Sequence, residues 1–257
     1  MYDHDGRYQR RLAEFFAEGV RDGVRVAYVS RDGATTDLAG VADLDRLLAA
    51  GTLQILPAGD VYGTGDPVDP ERVVAFFAAE TEQAVVDGYR GLRVSADASD
   101  MVRTPAQRDA FARCEFLVDG YMADHPLSGL CGFRVDLGDD ALAEFAALHE
   151  RESSGEPQFQ LFGCADGAIG LAGEFDPASV AALGRLLPRL RVDPADPLVV
   201  DLAEVEYVDH RLLWSLGKVA RASGVELALR SPPPFTAQLM GLLPKVYLRH
   251  GWAVEQS

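Results

Sequence analysis

Cysteines, long apolar runs and leader sequences are scarce or missing in this chain, and each absence excludes a class of protein. Only three cysteines occur, Cys114, Cys131 and Cys164, and they are too widely spaced for a disulfide framework or a zinc site. No apolar run approaches the ~20 residues that a membrane helix needs. The chain opens with MYDHDG rather than with a basic and apolar leader. We therefore expect a soluble, cytoplasmic protein.

Positive charge is also scarce, especially in the first half of the chain. The net charge is −16, and residues 1–150 contain 14 basic against 27 acidic residues. No lysine occurs before Lys218. Such a surface repels phosphate backbones, so direct binding to nucleic acid is not expected. The charges of both signs are interspersed, which is typical of a solvated surface.

The pattern of apolar residues predicts two α/β domains. In residues 1–150, short β-branched strands alternate with helices, which favours a mostly parallel sheet with flanking helices. The polar segment 151–157 is the best linker in the chain. Residues 158–257 then form a smaller α/β domain. Each half is long enough to bury a core of its own.

Polar side chains gather where the third predicted strand, residues 91–97, ends. Open α/β sheets bind ligands at the carboxyl ends of their strands. The candidate ligand-binding residues are therefore Tyr28, Arg93, Ser95, Asp97, Ser99 and Asp100. The alternative is a solvated acidic loop in which a polar side chain only caps a helix. The glycine-rich segment 59–67 lacks the lysine of a phosphate-binding loop and is interpreted as a flexible surface loop.

A strand, a tight turn and a helix follow one another between Val199 and Leu216. The period of the apolar residues changes from strand-like to helical at Asp209, which is a natural N-cap. Asp209, His210 and Arg211 thus lie at a helix N-terminus, where side chains are displayed to a partner, and they are the candidate partner-binding residues. The alternative is that Asp209 only caps the helix.

The first 150 residues resemble a MEDS domain, a sensory domain. The stretch FFAEGVRDGVRVAYVS from Phe15 to Ser30 and the stretch GYRGLRV from Gly88 to Val94 carry the likeness, together with Glu115 and the LCGF strand from Leu130. The resemblance implies a sensory domain, which would sense a small molecule or receive a partner. Family members begin with a further strand, of which only Met1 and Tyr2 would be the tail here.

The MEDS family is in turn similar to the RecA-like ATPases, whose phosphate-binding loop lies just before the first helix. That position reads YDHDGRY here, from Tyr2 to Tyr8. The lysine and the Mg²⁺-binding hydroxyl are both absent, so the main electrostatic stabilisation of nucleotide hydrolysis is lost. The resemblance implies a RecA-like scaffold without ATPase chemistry.

Residues 158–257 resemble a STAS domain of the anti-sigma factor antagonist type. The LAGEFD stretch from Leu171 to Asp176 looks like the family's opening strand, and GVELAL from Gly224 to Leu229 like a later one. A helix is expected from Phe235 to Leu243. The family's turn reads Asp-Ser-Ser-Gly and is phosphorylated on serine, whereas this turn reads DHRL from Asp209. The resemblance implies an anti-sigma factor or a related regulator as partner, without a hydroxyl switch.

The preferred interpretation is a non-enzymatic signalling protein that couples a sensor to a partner-binding domain. The histidines are scattered and the sequence offers no complete set of nucleophile, base and orienting residue, so no catalytic centre, metal or cofactor is expected. Two alternatives stay open. One is a nucleotide- or ligand-binding protein of RecA-like ancestry with residual enzymatic activity, and the other is a structural assembly module. A homodimer also stays open.

The loop before the first helix, residues 2–8, is altered relative to the RecA-like ATPases. This altered loop generates a prediction about nucleotide hydrolysis. We expect the purified protein not to hydrolyse ATP or GTP above background, because a lysine and a Mg²⁺-binding hydroxyl are both missing. The measurement is phosphate release with and without Mg²⁺. Magnesium-dependent turnover that disappears when Asp97 is replaced by alanine would contradict this expectation.

Overall fold

The computed structural model describes residues 6–31, 34–149, 159–190, 196–208, 210–234, 236 and 252–255. The chain divides into two compact units, residues 1–142 and 143–257. The predicted linker at 151–157, the N-cap Asp209 and almost all of the helix predicted from Phe235 to Leu243 lie outside the described residues. So do residues 2–5 of the altered loop. Within that loop Gly6 is described, and it has a positive φ of 73° directly before the first helix.

The first unit is an α/β sheet with helices on both faces. Its elements are α1 (Arg7–Arg21), β1 (Arg25–Ser30), α2 (Leu44–Ala49), β2 (Leu53–Pro57), α3 (Ala58–Tyr62), α4 (Pro70–Val86), β3 (Leu92–Asp97), α5 (Pro105–Met122) and β4 (Leu127–Gly132). Helix α6 (Asp139–Ala146) contains the boundary between the two units. The four strands are all parallel, in the order β2-β1-β3-β4.

Local sequence explains where the long helices begin. Asp69 accepts a hydrogen bond from the backbone N–H of Arg72 and precedes Pro70, whose fixed φ suits the first helical position. Thr104 and Gln107 form a reciprocal capping box at the start of α5. Both helices therefore begin directly after polar caps. The loops that precede them follow β2 and β3 and lie at the carboxyl edge of the sheet.

The core of the first unit lies on both faces of β1. All six residues of β1 are buried, as expected for a central strand of a parallel sheet. Ala27 and Val29 belong to the apolar cluster on the α4 and α5 face. Val26 and Tyr28 belong to the cluster on the α1 and α2 face. Alternate residues of one strand thus fill two separate apolar layers.

The strand order of this sheet reverses between β1 and β3. The chain passes from β1 to β2 on one side, and then crosses to β3 and β4 on the other side. The connections that leave β1 and β3 therefore diverge, which opens a crevice at their carboxyl ends. In the register of these strands Tyr28 lies beside Ser95.

The second unit contains a five-stranded sheet in the order β5-β6-β7-β8-β9. Its elements are β5 (Phe159–Gly163), β6 (Ile169–Glu174), α7 (Pro177–Leu186), β7 (Leu198–Tyr207), α8 (His210–Ser223), β8 (Leu227–Arg230) and β9 (Trp252–Glu255). Strand β5 is antiparallel to β6, and the other neighbouring pairs are parallel. The predicted fold class, a mostly parallel sheet with flanking helices followed by a smaller α/β domain, is confirmed.

Two elements of the structure are followed by 3₁₀ turns. Strand β4 ends at Gly132, and residues 135–137 form a 3₁₀ turn. Helix α7 ends at Leu186 and continues as a 3₁₀ turn from Leu187 to Leu190. In the part of the chain that the structure describes, no helix is long and apolar enough to cross a membrane.

The entry to β3 depends on a glycine. Gly91 has a φ of +157°, and a Cβ placed on it would lie 2.3 Å from the carbonyl oxygen of Pro126. That carbonyl accepts a hydrogen bond from the backbone N–H of Leu92, which fixes it at the start of the β3–β4 pairing. A side chain at position 91 must therefore strain the backbone where the two strands meet.

We predict that Gly91→Ala lowers the free energy of unfolding by about 2 kcal/mol or more, through overpacking and backbone strain. Gly129→Ala, in β4, is the matched control, because its Cβ would have no neighbour within 4 Å. The control should change stability by about 0.5 kcal/mol or less. Urea denaturation of both variants provides the measurement, and equal stability of the two would contradict the proposed strain.

Candidate functional site

A cavity of about 500 Å³ opens at the carboxyl ends of β1, β2 and β3 in the first unit. This is the crevice where the strand order reverses. The lining residues come from the strand ends and from the segments that follow them: Tyr28, Val29, Ser30, Arg31, Ala34, Thr36, Asp37, Ala58, Gly59, Tyr62, Gly63, Gly65, Asp66, Val68, Ala96, Asp97, Asp100, Met101 and Gln107. The volume is in the range of small-molecule sites.

The β1 side of the cavity is built around Tyr28 and Asp37. The Tyr28 hydroxyl donates a hydrogen bond of 2.6 Å to Asp37 Oδ2. Asp37 lies in the 3₁₀ turn 36–38, and its Oδ1 accepts a hydrogen bond from Gln9 Nε2 at 3.3 Å. Both donors are neutral, so they orient the carboxylate without cancelling its charge.

The β3 side of the cavity is shaped by a tight turn at Asp97. Asp97 Oδ1 accepts hydrogen bonds from the backbone N–H of Ser99, at 2.9 Å, and from the Ser99 hydroxyl, at 2.5 Å. The Ser99 Oγ in turn accepts a hydrogen bond from the backbone N–H of Arg134 at 2.9 Å. Ser99 is fully buried. It therefore positions Asp97 from behind rather than lining the cavity.

Asp100 joins three arginines at the rim of the cavity. It pairs with Arg31, with Arg103 at 2.9 Å and with Arg134 at 3.1 Å. Partial burial by itself raises the pKa of the Asp100 carboxyl, but hydrogen bonds and charges from these arginines outweigh it and lower the pKa. Arg31 follows β1 and Asp100 follows β3, so their ion pair joins the two strand ends.

The glycine-rich segment 59–67, which was interpreted as a flexible surface loop, lies largely at the surface and forms part of the site. Its first residues form the short helix α3, and Gly59, Tyr62, Gly63, Gly65 and Asp66 all line the cavity. Asp66 Oδ1 accepts a hydrogen bond of 2.8 Å from Gln107 Nε2 at the start of α5. This contact ties the segment to the helix that follows β3.

The structure separates the six candidate ligand-binding residues into groups. Tyr28, Asp97 and Asp100 line the cavity, whereas Ser99 supports it from within. Ser95 is also buried, and its hydroxyl donates to the carbonyl oxygen of Leu130 at 2.8 Å. The Ser95 Oγ lies 3.1 Å from the Tyr8 hydroxyl. The role of Ser95 is therefore to join α1, β3 and β4.

Arg93 lies apart from the cavity. It is the second residue of β3, about 13 Å along the strand from Asp97 at 3.3 Å per residue. Its guanidinium donates to the carbonyl oxygen of Phe15 at 2.9 Å and pairs with Glu18 and Asp22 of the α1 region. The structure thus gives Arg93 a packing role against α1, which corrects its inclusion among the ligand-binding candidates.

Sequence reasoning missed Asp37, Tyr62 and Asp66. Asp37 and Asp66 follow the carboxyl ends of β1 and β2, by the same rule that selected Asp97. Each lies seven or more residues beyond the end of its strand, however, so the sequence does not show that it returns to the strand ends.

The described residues of the cavity include no set suited to a metal ion. Its four aspartates are Asp37, Asp66, Asp97 and Asp100, and within the described chain they do not bring three carboxylate oxygens within 4.8 Å of one another. Cys131 lies in β4. Burial raises the pKa of its thiol well above the usual value, and the charge of Glu115 adds to the increase. Such a thiol is inert.

The second candidate site is the N-terminus of α8. His210 and Arg211 are exposed there, and Asp209 is outside the described residues. Two exposed aromatic residues lie nearby along the chain, Tyr207 at 55% and Trp214 at 44% exposure. The Lys218 ammonium lies 4.3 Å from the centre of the Trp214 ring. The aromatic residues were not predicted, although one turn of helix places Trp214 on the Arg211 side.

Comparison with protein families agrees with the division of the chain into two α/β domains. The family model described as the MEthanogen/methylotroph, DcmR Sensory domain, abbreviated MEDS, matches residues 1–150. The chain belongs to the MEDS family. A second family model, described as "Mlab, STAS domain", matches residues 163–243. No curated protein and no solved structure matches the chain.

Both predicted family resemblances are therefore confirmed, in the predicted order. The cavity lies within the residues matched by the MEDS model, and α8 lies within those matched by the STAS model. A sensory MEDS domain followed by a STAS domain gives the protein a signalling or regulatory role. The STAS domain implies a regulatory protein as partner.

The arginine cluster at Asp100 predicts how the stability of the MEDS domain depends on pH. Because the folded-state pKa of Asp100 is lowered, its ionisation stabilises the fold at pH values above the unfolded-state pKa of ~4. This contribution is lost as the pH falls through the folded-state value. We expect Asp100→Asn to destabilise the protein by ~1 kcal/mol or less at pH 7, and this difference should vanish in acid.

The measurement is urea denaturation of both proteins at a series of pH values from neutral to acidic. Asp124→Asn is the matched control, since Asp124 is exposed just beyond the end of α5. A difference for Asp100→Asn that persists unchanged into acid would show that its carboxylate charge is not what stabilises the rim.

Proposed function

We propose that this is a non-enzymatic signalling protein in which the MEDS domain binds a small molecule and the STAS domain binds an anti-sigma factor or a related regulator. The observation that carries the proposal is the cavity at the strand-order reversal of a sensory domain, in a chain that continues into a STAS domain. The cavity supplies a ligand site, and the STAS domain supplies a site for a protein.

The construction of the cavity supports ligand binding. Its volume of about 500 Å³ suits a small molecule, and polar groups from three strand ends converge on it. Tyr28, Asp37, Asp66 and Asp97 are each held by a hydrogen bond from or to a neighbouring side chain. Polar groups held in this way are preorganised, so a ligand does not have to order them on binding.

The chemistry of the lining supports a non-enzymatic role. Among the described residues that line the cavity there is no histidine, cysteine or lysine. The hydroxyl of Ser30 donates to the carbonyl oxygen of Ala34 at 3.1 Å, which is not a contact that activates a nucleophile. A nucleophile with an adjacent base is the arrangement that covalent catalysis requires.

The alternative of a nucleotide-binding protein has less support. Among the described lining residues of the cavity are four aspartates and one arginine, and a triphosphate would have to approach these carboxylates. RecA-like ATPases use a lysine and Mg²⁺ to hold the phosphates, and the first lysine of this chain is Lys218.

The exposed start of α8 supports partner binding by the STAS domain. Arg211 and Trp214 are both exposed and belong to the residue types that most often anchor protein interfaces. In STAS proteins of the antagonist type this turn meets the partner, and here His210 and Arg211 occupy the positions of the serines. The partner contact would therefore not be switched off by serine phosphorylation at the turn.

The sensor function is tested without assuming which ligand is bound. The full-length protein is incubated with the small-molecule fraction of cells that produce it, desalted and analysed by native mass spectrometry. We expect a retained molecule whose signal falls when Asp97 is replaced by asparagine and persists in Asp124→Asn. No retained molecule, or equal retention by both variants, would contradict the proposal.

A prediction for the STAS domain concerns its partner, which is first identified by crosslinking and mass spectrometry. We expect His210→Ala, Arg211→Ala and Trp214→Ala each to weaken partner binding by ~1–3 kcal/mol while leaving stability nearly unchanged. Arg221→Ala, at the far end of the same helix, is the matched control. Calorimetric titration of the four variants provides the measurement. If Arg211→Ala and Trp214→Ala bind as Arg221→Ala does, the partner contacts another surface.

A further inference from the structure

We infer that the partner of the STAS domain is a protein whose binding surface carries carboxylates beside an apolar pocket. It docks on a line of exposed residues along α8, Arg211, Trp214 and Lys218, which we name the α8 stripe. The inference rests on the proposed partner-binding function and specifies the chemistry of the partner. Three observations support it: the charge of α8 in an acidic chain, the positions of its cations, and the exposed tryptophan between them.

The charge of α8 is opposite to that of the chain. The protein contains 40 acidic and 24 basic residues, yet none of the acidic residues lies in α8. The helix contains three basic residues, Arg211, Lys218 and Arg221, which give it a formal charge of +3. The neighbouring helix α7, in which Gly184 packs closely against Ser215 of α8, contains no acidic residue either. The two helices therefore bring positive charge and no carboxylate of their own to this part of the surface.

The positions of these cations are not all explained by the stability of the helix. A helix dipole favours basic side chains at the C-terminus and acidic ones at the N-terminus. Arg221 lies in the last turn and agrees with this rule, whereas Arg211 lies in the first turn and opposes it. Lys218 has no acidic residue three or four positions away, so it forms no ion pair within the helix. In the described parts of the chain Lys218 contacts the Trp214 ring and forms no salt bridge.

The tryptophan lies between two cations on one side of the helix. Arg211, Trp214 and Lys218 are separated by three and four residues, so they follow one another over about 10 Å at 1.5 Å per residue. The Lys218 ammonium lies 4.3 Å from the centre of the exposed Trp214 ring, a cation–π contact that orients the ring. A surface complementary to the α8 stripe therefore has a pocket for the ring and carboxylates on either side of it.

A protein fits the α8 stripe better than an extended polyanion does. The stripe is short and contains a large apolar ring, and the chain around it has a net charge of −16. A nucleic acid or an anionic membrane would meet that acidic surface as well as the stripe and would be repelled by it. A folded protein can carry carboxylates at the stripe alone. Tryptophan and arginine are also the residue types most enriched among the anchors of protein interfaces.

The test uses the full-length protein and the partner identified for the STAS domain. A carbodiimide joins an amine to a carboxylate that contacts it, and the chain contains only two lysines, Lys218 and Lys245. We expect a crosslink between Lys218 and an aspartate or glutamate of the partner. Partner binding should also weaken by about tenfold between about 50 mM and about 500 mM NaCl, because salt screens exposed charge pairs.

Variants separate the effect of the charge from that of the ring. Lys218→Glu should lower the association rate constant by about tenfold, because interface charges steer the encounter. Lys218→Arg keeps the charge and should change that rate by about twofold or less. Trp214→Ala should instead raise the dissociation rate constant by about tenfold or more. Arg90→Glu is the matched control for net charge, since Arg90 is exposed in the MEDS domain, and both rates should stay unchanged.

The inference is supported if Lys218 is joined to a partner carboxylate and the rate constants follow this order. It is overturned if Trp214→Ala weakens partner binding while Lys218→Glu and added salt leave it unchanged. In that case partner binding at α8 stands and only the acidic chemistry of the partner is wrong. If Arg211→Ala and Trp214→Ala both bind normally, the proposed site on α8 fails and the inference fails with it.

Two further measurements examine other occupants of the α8 stripe. The full-length protein and Lys218→Glu are sedimented with phosphatidylglycerol vesicles, and their self-association is measured by analytical ultracentrifugation. We expect neither vesicle binding nor self-association to depend on Lys218. Vesicle binding that Lys218→Glu abolishes would overturn the inference in favour of a lipid surface, and self-association that it abolishes would overturn it in favour of a second copy of this acidic chain.

Discussion

The parallel pairing of β1 with β2 on one side and with β3 on the other is the constraint on which the site depends. Because β1 is buried on both faces, its register with each neighbour is fixed by two apolar layers. The three carboxyl ends therefore meet at one edge, and the diverging connections leave a cavity between them. The ion pair of Arg31 with Asp100 joins two of these ends. A shift of one residue in β1 would turn Tyr28 away from Asp37.

The MEDS domain and the STAS domain present surfaces of different chemistry. The MEDS domain encloses a cavity that is acidic and aromatic, which suits a small molecule. The STAS domain presents an exposed helix start with Arg211 and Trp214, which suits a protein. The chemistry of each surface agrees with the family to which its residues belong. A MEDS sensory domain and a STAS domain in one chain indicate a signalling or regulatory role.

Local patterns predicted most of the fold and part of the site. Helix α1, Arg7–Arg21, is an element that the sequence indicates, because its apolar stripe and its ends are properties of neighbouring residues. Strands β5 and β9 were not identified as strands, since short strands carry little periodicity of their own. Asp97 was found because it ends a strand, whereas Asp66 reaches the cavity through a segment whose path depends on its contact with Gln107. Tertiary contacts of this kind leave no local signal.

The central claim is that the crevice between the strand ends is the ligand site of the MEDS domain. Hydrogen–deuterium exchange of the full-length protein, with and without the molecule that it retains from cells, tests this claim most directly. The account predicts slower exchange in three separate segments, residues 28–37, 58–66 and 96–101, each of which contributes described residues to the lining of the cavity. Unchanged exchange in these segments, with protection elsewhere in the chain, would contradict it.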